Sequence, residues 1–105
     1  MNDAPLAVAD ARSLADTDLV PSRLLYAAPT PEGETFQVAY NENHKFYYLS
    51  NQVPDEALML QCWTNDKDGG ARTPHSGVVD DQYVGKDVVP RHSIEVRALV
   101  FHENA

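Results

Sequence analysis

Short alternating segments separated by turn-forming residues constrain the fold of this chain most. Apolar and polar residues alternate from Thr35 to Tyr40, and every even position within Ser93–Phe101 is apolar. A period of two indicates β-strands, because successive side chains of a strand point to opposite faces. Turn-forming residues such as the run Pro29–Gly33 separate the segments. We therefore predict a mainly β chain with short strands and long loops, as in a sandwich, a jelly roll or part of one.

Further segments extend this pattern. Leu6–Asp10, Arg23–Tyr26 and Lys45–Leu49 each favour a short strand. Ala57–Trp63 is a continuous apolar run whose residue types would also suit a short helix, but its length and the surrounding β pattern favour a buried strand. Gly77–Pro90 holds three acids and two glycines, and we expect it to be a loop with little regular structure.

Composition narrows the classes of function. The 105 residues suffice for one domain over 1–105, and the formal net charge of −8 disfavours nucleic-acid binding and anionic membranes. No apolar run reaches the roughly 20 residues of a membrane helix, and no secretory signal is recognisable. Cys62 is the single cysteine, which predicts a packed thiol in a reducing, cytoplasmic environment. We expect Trp63, Tyr47 and Tyr48 in the core, with the alternative that one tyrosine hydroxyl lines a pocket.

One pattern in the last third of the chain points to chemistry. Non-haem iron oxygenases hold Fe(II) with two histidines and one carboxylate, and leave positions open for a co-substrate. The distant carboxylate of 2-oxoglutarate fits the planar fork of an arginine, and a hydroxyl two residues further along a strand points to the same side. Arg91 and Ser93 have this spacing, and His75 precedes them by enough residues to lie on a neighbouring strand. The pattern predicts His75 as a metal ligand and Arg91 with Ser93 as a carboxylate site.

Simpler interpretations compete with this one. Arg91 could only begin a strand and contact solvent. Arg97 either pairs with Glu95 or replaces Arg91 as the carboxylate anchor, and the sequence leaves both options open. His44 fits a loop or packing residue better than a ligand. The remaining histidines, His92 and His102, are expected at the surface or in packing.

Several ordered blocks of the chain resemble one family of proteins, the CmcJ/AsaB/NvfI-like family of iron/2-oxoglutarate-dependent oxygenases. Together the blocks cover nearly the whole chain and match the C-terminal part of the family pattern. They are Leu6–Ser13, Asp18–Pro21, Tyr40–Tyr48, Pro54–Leu58, Ala71–His75 and Pro90–Phe101.

The resemblance implies a double-stranded β-helix, partial or compact, and specific roles for four residues. His75 would be the distal iron ligand, Arg91 and Ser93 would hold 2-oxoglutarate, and Arg72 could shape the strand of His75. The His-x-Asp pair of the family lies upstream of the resembling region, and no histidine of this chain has Asp or Glu two positions later. The implied cofactors are therefore Fe(II) and 2-oxoglutarate, or neither in so short a chain.

Two functions follow as hypotheses. The first is an oxidoreductase, or a fragment of one, that acts on small natural-product-like molecules and draws the missing ligands from another chain. The second is a non-catalytic β module that binds a small molecule or a partner after losing the metal site. A divided jelly roll exposes strand edges and a core face, so we expect a homodimer or a complementing chain. Whether this chain is catalytic by itself stays open, and we assign no catalytic residue.

Overall fold

A computed structural model of the protein describes residues 3–66 and 72–103. Within these ranges the chain forms short antiparallel strands joined by loops and single 3-10 turns, which confirms the mainly β prediction. The turns cover Ala11–Ser13, Asp16–Asp18 and Asp81–Tyr83. The strands are β1 (Leu6–Ala9), β2 (Leu19–Leu24), β3 (Gly33–Val38), β4 (Phe46–Tyr48) and β5 (His75–Gly77).

Strands β2 and β3 form a two-stranded antiparallel hairpin. Its register runs from Leu19 opposite Val38 to Leu24 opposite Gly33. Pro21 lies inside β2, and this strand begins before the predicted segment Arg23–Tyr26. A proline is tolerated there because a strand of a two-stranded sheet has an edge that needs no amide donor.

The other three strands form a sheet in the order β4-β1-β5, with both outer strands antiparallel to β1. Val8 stands opposite Tyr47 on one side and His75 on the other, and directly paired residues share a face. Leu6 stands opposite Gly77 on that same face, because it is two residues from Val8. We call this the His75 face.

A buried carboxylate joins the hairpin to the segment before β4. Asp18 accepts hydrogen bonds from the Ala15 backbone N–H at 2.9 Å and from the Asn41 side-chain amide at 3.2 Å. The Nε2 atom of His44 lies 2.9 Å from Asp18 Oδ2, and both side chains are at most 10% exposed. The hydrogen bond from the Ala15 backbone N–H lowers the pKa of Asp18 most. The contact with His44 lowers this pKa further. His44 is thus a packing residue, as predicted.

Two predicted strands are absent from the described ranges. Ala57–Trp63 is neither strand nor helix, although the Thr73 backbone N–H donates to Gln61 O at 2.9 Å. Ser93–Phe101 belongs to no sheet, and Ile94 and Val96 are 95% and 87% exposed. Residues 93–101 have the alternation of a strand. A strand also needs a neighbour that pairs with its amides and carbonyls, and no described segment pairs with residues 93–101.

The predicted packing of the central aromatic residues and of the cysteine is also wrong. Trp63 is 67% exposed, Tyr47 and Tyr48 are exposed, and Cys62 is an exposed thiol. Cys62 and Trp63 belong to the irregular segment 57–63, which forms no strand that would bury them.

Among the described residues the buried apolar side chains are those of Ala7 and Ala9, on the sheet face opposite His75. The Cα radius of gyration is 16.4 Å, whereas a compact domain of this length has about 13 Å. In residues 3–66 and 72–103 no helix has the length and apolar character needed to span a bilayer.

Candidate functional site

The geometry of His75 leaves one ring nitrogen available for a ligand. Nδ1 lies 2.9 Å from the carbonyl oxygen of Thr73, two residues earlier on the chain. Because a carbonyl only accepts, Nδ1 carries the proton and Nε2 keeps its lone pair. A backbone carbonyl often fixes metal-binding histidines in this way, since it sets the tautomer and orients the ring. The His75 side chain is exposed at the start of β5.

Arg91 lies beside the same strand. A Cβ atom added to Gly77 would stand 3.8 Å from Arg91 Nη2, so the guanidinium lies next to Gly77 on the His75 face. Gly77 follows His75 by two positions, a separation of roughly 7 Å along a strand. The Arg91 backbone N–H donates to the Asp3 carboxylate at 3.0 Å, which holds the start of the last segment near β1.

Ser93 and Arg97, the other two predicted carboxylate-binding residues, lie on the exposed segment 93–101. Arg97 is 3.7 Å from Glu95, and both side chains are more than 80% exposed. This is the simpler of the two arrangements that the sequence allowed for Arg97. The structure therefore brings Arg91 to the face of His75 and leaves Ser93 and Arg97 in solvent.

Arg72 holds the segment before β5 against the hairpin. Its guanidinium carbon lies 4.6 Å from the centroid of the Phe36 ring on β3, which is a cation–π contact. Two residues later, Pro74 O accepts a hydrogen bond from the Ala9 backbone N–H at 2.9 Å and extends the β1–β5 ladder. Arg72 thus contacts β3, while Pro74 aligns the start of the His75 strand with β1.

An apolar groove lies on the His75 face, on the side of β1 where β4 pairs. This groove was not predicted from the sequence. Its volume is about 270 Å³. The alternation in Leu6–Ala9 predicts that Leu6 and Val8 lie on one face. Residues 57–58 cover the groove but have no strand periodicity, so the sequence could not reveal that they belong to it. The groove is lined by Leu6, Val8, Tyr47, Tyr48, Leu49, Gln52, Ala57 and Leu58.

Two polar groups at the rim of this groove already have partners. The Tyr48 hydroxyl donates to the Asp80 carboxylate at 3.3 Å, and the Gln52 amide donates to Glu56 O at 3.1 Å. The charge of Asp80 raises the pKa of Tyr48, while a hydrogen bond from Gln82 lowers the pKa of Asp80. The groove therefore has an apolar floor and a negative charge at one end.

A non-haem iron site needs two histidines and one carboxylate. His75 fits one ligand position, because its Nε2 lone pair is available at an exposed strand end. The residues that the structure describes contain no group of three or more His, Cys, Asp or Glu side chains that could hold a metal ion. The described part of the chain therefore does not form a complete iron site.

The chain is similar to a group of fungal oxidoreductases. It is 41% identical to the hydroxylase/desaturase efuI of Hormonema carpetanum, with 95% of this chain and 36% of the relative covered. It is also 41% identical to the hydroxylase/desaturase asaB of Aspergillus flavus, with 95% and 49% covered. The identity to the Fe(II)/2-oxoglutarate-dependent dioxygenase nvfI of Aspergillus novofumigatus is 37%, with 94% and 35% covered.

The chain spans between about a third and a half of the length of these curated relatives. No solved structure shows significant similarity to it. The family model described as "Oxidoreductase/YMDC permease-like domain" matches residues 1–101, almost the entire chain. The chain therefore belongs to this oxidoreductase family, together with the AsaB- and NvfI-like enzymes.

Proposed function

We propose that this chain supplies part of an Fe(II)/2-oxoglutarate-dependent oxygenase site that oxidises a small molecule. The observation that carries the proposal is the placement of a pre-oriented His75 and the Arg91 guanidinium on one sheet face. The relatives named as Fe(II)/2-oxoglutarate-dependent or alpha-ketoglutarate-dependent dioxygenases support it.

Each residue has a defined role in this proposal. His75 Nε2 would donate one ligand to Fe(II), which in such enzymes supplies oxygen-activating chemistry. Arg91 would hold the far carboxylate of 2-oxoglutarate through two parallel hydrogen bonds. Ser93 would add a hydroxyl once its segment is ordered as a strand, because it then points to the side of Arg91. Since the described residues offer an incomplete iron site, the other ligands must come from outside them.

Calorimetry with Mn(II) and 2-oxoglutarate tests the proposal. We expect the wild-type chain to bind Mn(II) and His75→Ala to lose that binding, because the imidazole is the ligand that this chain contributes. His92→Ala is the matched control, since His92 is an exposed histidine on the unpaired segment. Equal binding by wild type and His75→Ala would contradict the assigned role of His75.

A second pair of variants separates the two arginines. Arg91→Ala should weaken 2-oxoglutarate binding about tenfold to a hundredfold, the effect of losing charge-assisted hydrogen bonds. Arg97→Ala should leave it unchanged, because Arg97 lies in solvent beside Glu95. The opposite order of effects would move the carboxylate anchor to Arg97.

One observation favours a second candidate function. The apolar groove is formed within the described residues, whereas the metal site is incomplete there. A non-catalytic module that binds a small molecule would show this combination. The absence of Mn(II) and 2-oxoglutarate binding in the wild-type chain, with retained binding of an apolar ligand, would favour this alternative.

A further inference from the structure

The apolar groove and His75 are neighbours across the central strand. Val8 lines the groove and stands directly opposite both Tyr47 and His75. Adjacent strands are about 4.8 Å apart, so the backbones of Tyr47 and His75 are separated by roughly 10 Å. A ligand that fills the groove over Tyr47 and Val8 would end beside the His75 imidazole.

The lining of the groove selects against charge. None of the groove residues is charged, and the Asp80 carboxylate contacts the Tyr48 hydroxyl at one end. An anionic group placed there would lose hydration against an apolar lining, and it would be repelled by Asp80. The Arg91 guanidinium lies on the other side of β1, next to Gly77. A negatively charged ligand group is thus favoured on the β5 side of the sheet face, beside Arg91. An uncharged group is favoured on the β4 side, in the groove.

We propose that the apolar groove is the subsite for the uncharged, hydrocarbon-rich part of the small-molecule substrate, with Leu58 and Tyr47 as specificity-determining residues. This inference rests on the proposed function of His75 and Arg91. The groove volume of about 270 Å³ is close to the lower end of the range of roughly 300–1,000 Å³ that is common for small-molecule sites.

The test uses farnesol as a neutral hydrocarbon-rich probe and farnesoic acid as its charged counterpart. Both are titrated into the 105-residue chain while the amide NMR signals of Tyr47 and Ala57 are followed. We expect farnesol to bind and the carboxylate to bind about tenfold more weakly or worse. Leu58→Glu should weaken farnesol binding by a similar factor, because it introduces a charge into the groove.

The matched control is Leu25→Glu, since Leu25 is an exposed leucine outside the groove. Equal loss of farnesol binding in Leu58→Glu and Leu25→Glu would overturn the subsite, as would preferred binding of the carboxylate. Farnesol that binds without shifting the Tyr47 and Ala57 signals would overturn it as well.

Mn(II) distinguishes failure of the subsite from failure of the proposed function. With Mn(II) and 2-oxoglutarate bound, the farnesol proton signals should broaden in the wild type and sharpen in His75→Ala. Bound Mn(II) without broadening would overturn the subsite and leave the metal role intact. Selective farnesol binding in a chain that takes up no Mn(II) would overturn the oxygenase function and leave a groove for neutral ligands.

Discussion

Two imidazoles in this chain are held by partners of opposite character. His44 is buried and contacts the Asp18 carboxylate through Nε2, whereas His75 is exposed and contacts a neutral carbonyl through Nδ1. The Nε2 atom of His44 is engaged by a carboxylate inside the fold. The ring of His75 is oriented through Nδ1, so its Nε2 atom is left at the exposed end of the side chain. The different partners explain why His44 serves packing and why His75 is the better ligand candidate.

The hydrogen bonds of the Asp18 carboxylate, first with the Ala15 N–H and then with His44, should make stability depend on pH. The folded-state pKa of Asp18 is lowered, so its carboxylate stabilises the fold above the unfolded value of 3.8. That contribution is lost as the pH falls through the lower folded value. We expect Asp18→Asn to lower the urea midpoint of unfolding at about pH 7, and the difference from wild type to shrink towards about pH 2.

Asp16→Asn is the control for this prediction, because Asp16 is an exposed aspartate in the same 3-10 turn. It removes the same charge without removing the contact with His44. Equal midpoints for the two variants at neutral pH, or an Asp18→Asn effect that does not change with pH, would show that the buried contact contributes nothing specific.

At the scale of elements, β5 is a short strand whose last residue positions the neighbouring cation. A Cβ at Gly77 would lie 3.6 Å from Ala4 O and 3.8 Å from Arg91 Nη2, which are ordinary van der Waals distances. A methyl group therefore fits, but a longer side chain would occupy the space of the guanidinium. The element thus limits the size of the residue at position 77.

This limit predicts a size series at position 77. Gly77→Ala should bind 2-oxoglutarate as wild type does, while Gly77→Leu should weaken binding about tenfold, because the leucine displaces Arg91. Calorimetry measures the affinities, and circular dichroism checks that both variants keep their strands. Equal affinity in the alanine and leucine variants would mean that Arg91 does not act from its position beside Gly77.

Whether a strand can be predicted from the sequence depends on where its pairing segment lies in the chain. Leu6–Ala9 and the strand near Thr35 were predictable, because alternation is a local property and both pair within the chain. Alternation at Ser93–Phe101 was equally visible, yet no pairing follows from it, because pairing depends on a segment elsewhere. The Asp18–His44 contact joins residues 26 positions apart without any periodic pattern, so the sequence could not reveal it.

The candidate site was predictable to the same extent. The spacing of His75 and Arg91 suggested both residues, and the structure places them on one face. The groove was not predictable, because it forms only when residues from β1, β4 and the irregular segment 57–58 meet.

At the scale of the whole molecule, much apolar surface lies in solvent. Ile94, Val96, Leu99, Val100 and Phe101 are each at least 74% exposed within one segment. Contiguous apolar patches of this kind are rare on monomeric proteins and mark interaction sites. The curated relatives are two to three times longer than this chain, so in them more chain is available to cover such a segment.

We expect the isolated chain to self-associate through residues 93–101, most simply as a two-fold dimer. Light scattering at micromolar concentration should report more than a monomer. Val96→Lys should weaken the association about tenfold, because it places a charge on the exposed strand-like segment. Val89→Lys, at another exposed valine outside 93–101, is the control. A monomer in the wild type, or equal effects of the two lysines, would contradict this expectation.

The central position of β1 also sets an order of folding. The β2–β3 hairpin joins residues close in sequence, whereas β1 pairs with β4 about forty positions later and with β5 about seventy positions later. Closing long loops costs more chain entropy, so the hairpin should form first and the sheet last. During synthesis β1 emerges before residues 75–77 and must wait for them. The face that carries His75 is therefore completed only after about seventy further residues have been made.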